Sequence, residues 1–212
     1  MLELDLPPGS RLLLVRHGES IWNCEGRIQG CTDVPLSEMG REQARRVAAR
    51  LPNCGAAALY SSDLQRAVQT AEPIAAALSL PIATEPGLRE VAFGRWEGLT
   101  LVEARARYPE EWAAYEADPI RNRPEGGERL EALQARAVRA MERLLARHTG
   151  QTVLIVAHGG SIRAVLGACL GVPVAAYCRL DLDNASISCV ERDRRTPRLR
   201  YLNDTAHLRD GS

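Results

Sequence analysis

The chain has 212 residues, 27 basic and 27 acidic, for a formal net charge of zero, and every basic residue is arginine. The absence of lysine excludes a P-loop with its phosphate-gripping Lys, a protein-kinase nucleotide site and any Schiff base, so a bound phosphate or carboxylate must be held by arginine, histidine or backbone N–H. Balanced charge with dispersed arginines leaves no electrostatic footprint for nucleic acid or an anionic membrane, and 212 residues with 45% hydrophobic content suit one α/β domain.

Taken in chain order, the start, MLELDLPPGS, carries two acids and a Pro-Pro-Gly break, which reads as neither a signal nor a transit peptide. Arg11 to Val15 is a short apolar run opening into Gly18, the pattern of a buried parallel strand. Ser37 caps a helix with Ala44, Val47, Ala48 and Leu51 on one face, ended by Pro52. Ala56 to Tyr60 is a second strand, and Asp63 begins a helix in which Pro73 should act as a kink or interruption. A short strand follows at Leu80 to Thr84.

The segment 91–128, rich in Trp, Tyr and Pro, reads as a loop with two short helices forming a cap inserted in the single domain 1–212. A long amphipathic helix spans Glu128 to His148, then a buried strand Thr152 to Ala157 and a helix Ser161 to Leu170. The tail alternates in β fashion at Arg179 to Leu182, Ser186 to Val190 and Leu199 to Leu202, and Arg192, Arg194, Arg195, Arg198 and Arg200 around Thr196-Pro197 read as a solvated hairpin turn. The class is α/β: a three-layer sandwich with a mainly parallel central sheet and helices on both faces. Six dispersed cysteines without a Cys-x-x-Cys pair, together with the acidic start, point to reduced thiols in a cytoplasmic protein.

Two strands run straight into a histidine followed by glycine: Leu12 to Val15 into Arg16-His17-Gly18, and Val153 to Ala157 into His158-Gly159. Ligands of open α/β sheets bind beyond the C-terminal strand ends, so both imidazoles are expected at one sheet edge. A lone histidine is as readily structural, but two at equivalent strand ends, one beside Arg16, weaken that reading. No carboxylate or cysteine lies at metal-ligand spacing, and Arg16 would repel a cation, so an anion fits better than a metal. Arg66, one turn beyond a strand end, can join a cluster able to hold a phosphate ester; alone it would be an ordinary helix arginine.

Arg16-His17-Gly18-Glu19-Ser20 with Asn23, Arg27-Ile28-Gln29-Gly30, Asp33-Val34-Pro35-Leu36-Ser37 with Gly40, Ser61 to Ala67 with Thr70-Ala71, Leu88-Arg89-Glu90 with Trp96-Glu97-Gly98, and Val156 to Gly160 together cover nearly the whole chain. In that order they resemble the histidine phosphatase superfamily, which includes cofactor-dependent phosphoglycerate mutases. The resemblance implies His17 as the nucleophile that becomes a phosphohistidine, and Arg16, Arg66 and His158 as the catalytic phosphate pocket. Asn23, Gln29, Gly30 and Gly159 would complete that pocket, and Glu90 would be the acid/base. It implies no metal and no organic cofactor. Without it Glu90 would read as a loop carboxylate, and Glu19 is the other acid considered.

Where mutases carry an Arg-Phe-Thr-Gly-Trp-like segment this chain has Arg27-Ile28-Gln29-Gly30-Cys31, and a basic-aromatic stretch after the acid/base is replaced by Val91-Ala92-Phe93-Gly94. The paired arginines of mutases have no clear counterpart, because Asn122 separates Arg121 from Arg123. The expectation is a metal-independent phosphatase of small phosphomonoesters, similar to broad-specificity and α-ribazole phosphatases. Its specificity would come from the cap around Trp96, Tyr108, Trp112, Tyr115, Arg121 and Arg123, with Trp112 and Tyr115 better explained as cap core. The alternatives are a bisphosphoglycerate-dependent mutase and a catalytically idle module that binds phosphorylated ligands. The expected partner is a small phosphate ester, without nucleic acid or membrane, and the sequence leaves open whether the chain forms a homodimer.

Overall fold

The structure, a computed structural model, describes residues 2–193 and 195–209. Six strands form one mixed sheet: β1 (Arg11–Arg16), β2 (Ala56–Ser61), β3 (Ile82–Thr84), β4 (Thr152–Ala157), β5 (Ile187–Arg192) and β6 (Pro197–Asp204), in the order β3-β2-β4-β1-β5-β6. The first four strands pair in parallel, and β5 and β6 extend the sheet antiparallel. The central strands β1 and β4 are buried on both faces, which is why they read as continuous apolar runs.

Alternation along those strands divides the core. Leu12, Leu14, Val153 and Ile155 pack with Ala137, Met141 and Leu144 of α6 (Leu130–Arg147) and Ile162 and Val165 of α7 (Gly159–Leu170). Leu13, Val15, Leu154 and Val156 face Val47 and Ala48 of α2 (Glu38–Arg50) and Ala67, Ala71 and Ile74 of α3 (Gln65–Leu78). The result is the expected three-layer α/β sandwich, with α1 (Ile21–Cys24) a single turn after β1. Ser37 caps α2 as anticipated, its side chain accepting from the Gly40 N–H.

Segment 91–128 contains a 3-10 turn Gly94–Trp96, α4 (Leu101–Arg107) and α5 (Pro109–Ala117). Its two ends meet at a bridge between Phe93 and Gly127, where a Cβ on Gly94 would lie 2.1 Å from the Glu125 carbonyl oxygen. Trp96 is buried and stacks on Trp112 with centroids 5.2 Å apart, while Tyr115 meets it edge-on at 5.2 Å.

Two local expectations differ from the structure. Helix α3 continues through Pro73, because Ala67, Ala71 and Ile74 anchor both halves on the sheet and offset a proline cost of about 3 kcal/mol. Arg179 to Leu182 is irregular rather than a strand; α8 (Val174–Tyr177) precedes it, and Arg16 and Arg163 occupy the Leu182 and Leu180 carbonyls instead of a neighbouring strand. The Arg-rich stretch spans the β5–β6 hairpin, as expected, with Arg198 and Arg200 within β6; Arg194 lies outside the described residues. Among the described residues no helix is long and apolar enough to cross a membrane.

Candidate active site

Register decides where the histidines meet. Arg16 pairs with Ala157 in the β1–β4 ladder, so the next residues, His17 and His158, leave the sheet side by side. The His17 N–H donates to the Ala157 carbonyl at 2.9 Å, and the two rings lie 5.1 Å apart, both buried. His17 Nδ1 is 2.7 Å from the Gly18 carbonyl, which can only accept, so Nδ1 carries the proton and Nε2 the lone pair. Burial first, then the Arg66 and Arg16 charges, hold His17 well below the usual imidazole range of 6.5, so the ring is neutral.

The loop carrying His17 is clamped by backbone contact. A Cβ on Gly18 would lie 2.5 Å from the Gly40 carbonyl oxygen, so the turn seats on the start of α2 only with glycine there. The Asn184 amide donates to the His17 and Gly18 carbonyls at 3.1 and 3.3 Å. Asn184 was invisible in sequence because it lies in an irregular stretch remote from every motif.

Arg66 is fully buried at the start of α3, donating from Nη1 to the Thr32 carbonyl and from Nη2 to the Gly30 carbonyl, each at 2.8 Å. Arg16 donates from Nη1 to the Leu182 carbonyl. His158 Nε2 lies 2.8 Å from the Ser62 hydroxyl, which also receives the Leu64 N–H at 3.4 Å; when that hydroxyl donates to Nε2, Nδ1 carries the ring proton. Three buried atoms then have no protein partner: Arg16 Nε, Arg66 Nε and His158 Nδ1. Native interiors leave few such donors, and each costs about 1–3 kcal/mol when unmatched, more when charged. The group that satisfies all three is an anion. Burial lowers the pKa of both arginines and that of His158, which the Arg66 and Arg16 charges depress further.

Arg16, His17, Gln29, Gly30, Arg66, Glu90, Phe93, Trp96 and Tyr115 line one cavity of about 220 Å³. Glu90 is held there by the Val91 N–H at 2.8 Å and the Gly160 N–H, in the first turn of α7, at 3.0 Å. Arg136 of α6 secures the backbone behind it, donating to the carbonyls of Gly87, Arg89 and Glu90 at 2.9, 2.7 and 2.7 Å while bidentate to Glu128. Nothing in sequence separates Arg136 from other helix arginines. Glu97 likewise ties the opposite wall, accepting from the backbone N–H groups of Cys31, Thr32 and Phe93 and from the Thr32 hydroxyl. Gly30 sits at φ +54° directly against it, where a Cβ would lie 2.0 Å from Glu97 Oε1.

Other candidates are placed differently. Asn23 does not line the cavity; its side-chain oxygen accepts from the Ser20 and Asn184 side of the loop. Gln29 reaches the cavity while accepting from the Ser20 hydroxyl at 2.7 Å. Gly159 opens α7, with Arg16, Arg163 and Glu90 each 3.8 Å from where its Cβ would be. Glu19 is bound to Ser37 at 2.7 Å and to the Cys24 thiol, contacts that lower its pKa. Arg121 is 87% exposed beside Asp118, and Tyr108 stacks under Arg95. Trp112 is cap core, whereas Tyr115 also lines the cavity. Among the described residues no group of three or more His, Cys, Asp or Glu could hold a metal ion.

A neutral buried imidazole beside two buried guanidiniums, at the strand ends of an α/β sheet and facing a carboxylate, defines a protein that handles phosphoryl groups. The model of the histidine phosphatase superfamily (branch 1) matches residues 12–205, and the chain belongs to that family. It is 37% identical over 198 residues to phosphoserine phosphatase 1 of Hydrogenobacter thermophilus, covering 93% of this chain and 94% of that protein. It is also 37% identical over 205 residues to the probable phosphoglycerate mutase GpmB of Yersinia pestis, with 93% and 94% covered. Among solved structures, a mycobacterial glucosyl-3-phosphoglycerate phosphatase in complex with VO3 superposes with a TM-score of 0.82 at 32% identity, covering 92% of this chain and 99% of that one.

Proposed function

We propose that the protein is a phosphoric monoester hydrolase that cleaves small-molecule phosphomonoesters through a phosphohistidine at His17, without a metal or organic cofactor. In the first step the His17 Nε2 lone pair bonds to phosphorus as the ester P–O bond breaks, and the Glu90 carboxyl gives its proton to the departing alkoxide. Arg16, Arg66 and His158 neutralise the phosphoryl oxygens. In the second step the Glu90 carboxylate takes a proton from water, the water oxygen attacks phosphorus, and the N–P bond breaks to release phosphate and neutral His17. The whole chain acts as one domain, with the cap 91–128 roofing the site.

The observation that carries this reading is the neutral Nε2 of His17 beside buried donors of Arg16, Arg66 and His158 that no protein atom satisfies. Its test is acid-labile phosphate trapped on the protein during turnover, together with p-nitrophenyl phosphate hydrolysis by His17→Ala. The variant is expected to lose on the order of 10⁴-fold in kcat or more, as when a nucleophile is removed. A His17→Ala protein as fast as the parent would refute the mechanism. The mutase alternative requires 3-phosphoglycerate to become its 2-isomer faster than phosphate is released.

A further inference from the structure

We propose that Asn184, in the segment between α8 and β5, is a positioning residue for the nucleophile: its side-chain amide holds the Gly18 carbonyl that keeps the His17 proton on Nδ1 and so leaves the Nε2 lone pair free for phosphorus. This rests on the phosphohistidine reading above and names the residue that sets the nucleophile's tautomer.

A neutral imidazole has two tautomers, chosen by the hydrogen bonds its nitrogens make, and only the one protonated at Nδ1 can attack through Nε2. The acceptor that selects it is the Gly18 carbonyl, 2.7 Å from Nδ1. That carbonyl also receives the Asn184 Nδ2–H at 3.3 Å, while the N–H at the other end of the same peptide, that of Glu19, donates to Gln43 Oε1 at 2.8 Å. The peptide plane is pinned at both ends, and Asn184 supplies the end that faces the ring.

The surroundings of the amide leave it one orientation. Nδ2 lies 3.1 Å from the His17 carbonyl oxygen and 3.3 Å from both the Gly18 carbonyl oxygen and Asn23 Oδ1. All three atoms accept, so turning the amide over would set its own oxygen against them. Two successive carbonyls directed at one nitrogen have dipoles that repel, and the amide hydrogens offset that repulsion.

The segment itself is braced. Ala185 is fully buried at φ +59°, a left-handed conformation that is costly for any residue but glycine, and it places its N–H 3.0 Å from the His17 carbonyl. His207 donates from Nε2 to the Ala185 carbonyl at 3.0 Å. Asp183 pairs reciprocally with Asn203 of β6, its N–H on Oδ1 at 2.7 Å and its Oδ2 accepting from Nδ2 at 2.9 Å. The Leu182 carbonyl takes Arg16, so the same strap serves both the nucleophile and a phosphate ligand. Asn184 does not line the cavity that holds His17, so it acts through the ring and not on the substrate.

The effect belongs to the transition state. As the Nε2–P bond forms and the ester P–O bond breaks, Glu90 gives its proton to the alcohol, and the ring keeps its Nδ1 proton while gaining one positive charge. The bond from Nδ1–H to the Gly18 carbonyl then becomes charge-assisted, so fixing its acceptor favours the transition state over the ground state.

The test uses Asn184→Ala and Asn184→Asp, the second of which keeps the size but turns carboxylate oxygens toward the three acceptors. Rapid-quench phosphorylation by p-nitrophenyl phosphate is expected to be about 10- to 100-fold slower in each than in the parent, the range of a hydrogen bond to a charged group. The Kd of Asn184→Ala for inorganic phosphate should stay within about twofold of the parent's, because only the transition-state interaction is lost. Ring 15N NMR of His17 should place the proton on Nδ1 in the parent and show mixed tautomers in Asn184→Ala. Phosphorylation at the parent rate in both variants overturns the proposal. So does slowing matched by an equal loss of phosphate affinity with the tautomer unchanged, the signature of a loosened pocket. A parent ring protonated on Nε2 overturns it without any variant, so misfolding cannot shelter the idea. Absence of trapped phosphate on the parent sinks the phosphohistidine reading itself; trapped phosphate with an unaltered tautomer in the variants sinks only the role of Asn184.

Discussion

Burying two neutral histidines side by side makes stability depend on pH in a window where little else titrates. His17 and His158 are both held well below 6.5, chiefly by burial and by the nearby guanidiniums. Unfolding releases them to the ordinary value, so below pH 6.5 the unfolded chain binds two protons the folded chain refuses. Stability is therefore expected to fall as pH falls through that value. Each such proton is worth ~1.4 kcal/mol per pH unit, so the pair gives a limiting slope of ~2.7 kcal/mol per unit, reached near pH 5.5. Between pH 5.5 and 5.0 that is ~1.4 kcal/mol, or a drop in Tm of roughly 3–6 °C for a chain this long. Carboxylates held low, such as Glu19 and Asp63, start from 4.5 and 3.8 and contribute mostly below this window. The assay is urea unfolding from pH 7.5 to 5.0 in phosphate-free buffer, for the parent and His158→Gln. The glutamine removes one refused proton, so the variant's slope should be shallower than the parent's by ~1.4 kcal/mol per pH unit. His207, also held low by burial, is common to both and cancels. Saturating inorganic phosphate should flatten the parent's slope, because a bound anion favours the imidazolium of His158. A parent stability flat from pH 6.5 to 5.0, or an unchanged slope in His158→Gln, would refute the reasoning.

Two further substitutions test how the walls are built. Arg136→Met removes the donor that holds the carbonyls behind Glu90, and should slow alkyl phosphates about 10- to 100-fold. p-Nitrophenyl phosphate, whose leaving group needs no proton, should be slowed less in the pre-steady-state phosphorylation burst; equal losses on both would indicate general unfolding instead. Glu97→Gln exchanges a charged acceptor of four hydrogen bonds for a neutral one that clashes with at least one donor, and should cost about 2–4 kcal/mol by thermal or urea melts. Phosphate affinity should fall with it, since the loop it secures carries the Gly30 and Thr32 carbonyls that orient Arg66.

The elements that were legible in the sequence share one property, a single dominant local signal. The apolar runs of β1 and β4, the capped α2 and the long stripe of α6 each carry their period or cap within one segment. Pro73 does not interrupt α3, because its penalty is local whereas the compensation from Ala67, Ala71 and Ile74 against the sheet is tertiary. Arg179 to Leu182 misled for the converse reason: alternation is present, but its backbone acceptors are taken by Arg16 and Arg163 side chains.

The site divides along the same line. Two strands ending in His-Gly, with Arg16 and Arg66 nearby, are written in the chain order itself, because chemistry at a strand end is a property of adjacent residues. The β1–β4 register then decides that the two rings meet at 5.1 Å, and only the packing of α3 leaves Arg66 Nε free while its other nitrogens are spent on the 30–32 loop. Asn184, Arg136 and Arg163 could not be found in sequence, and Glu97 stood there only as part of a motif without a role, since each acts on backbone or space contributed by remote segments. The sequence by itself determined the family and the layered sandwich; the tertiary structure decided which of 27 arginines face the cavities, because burial and direction are set by what packs around a guanidinium and not by its neighbours in the chain.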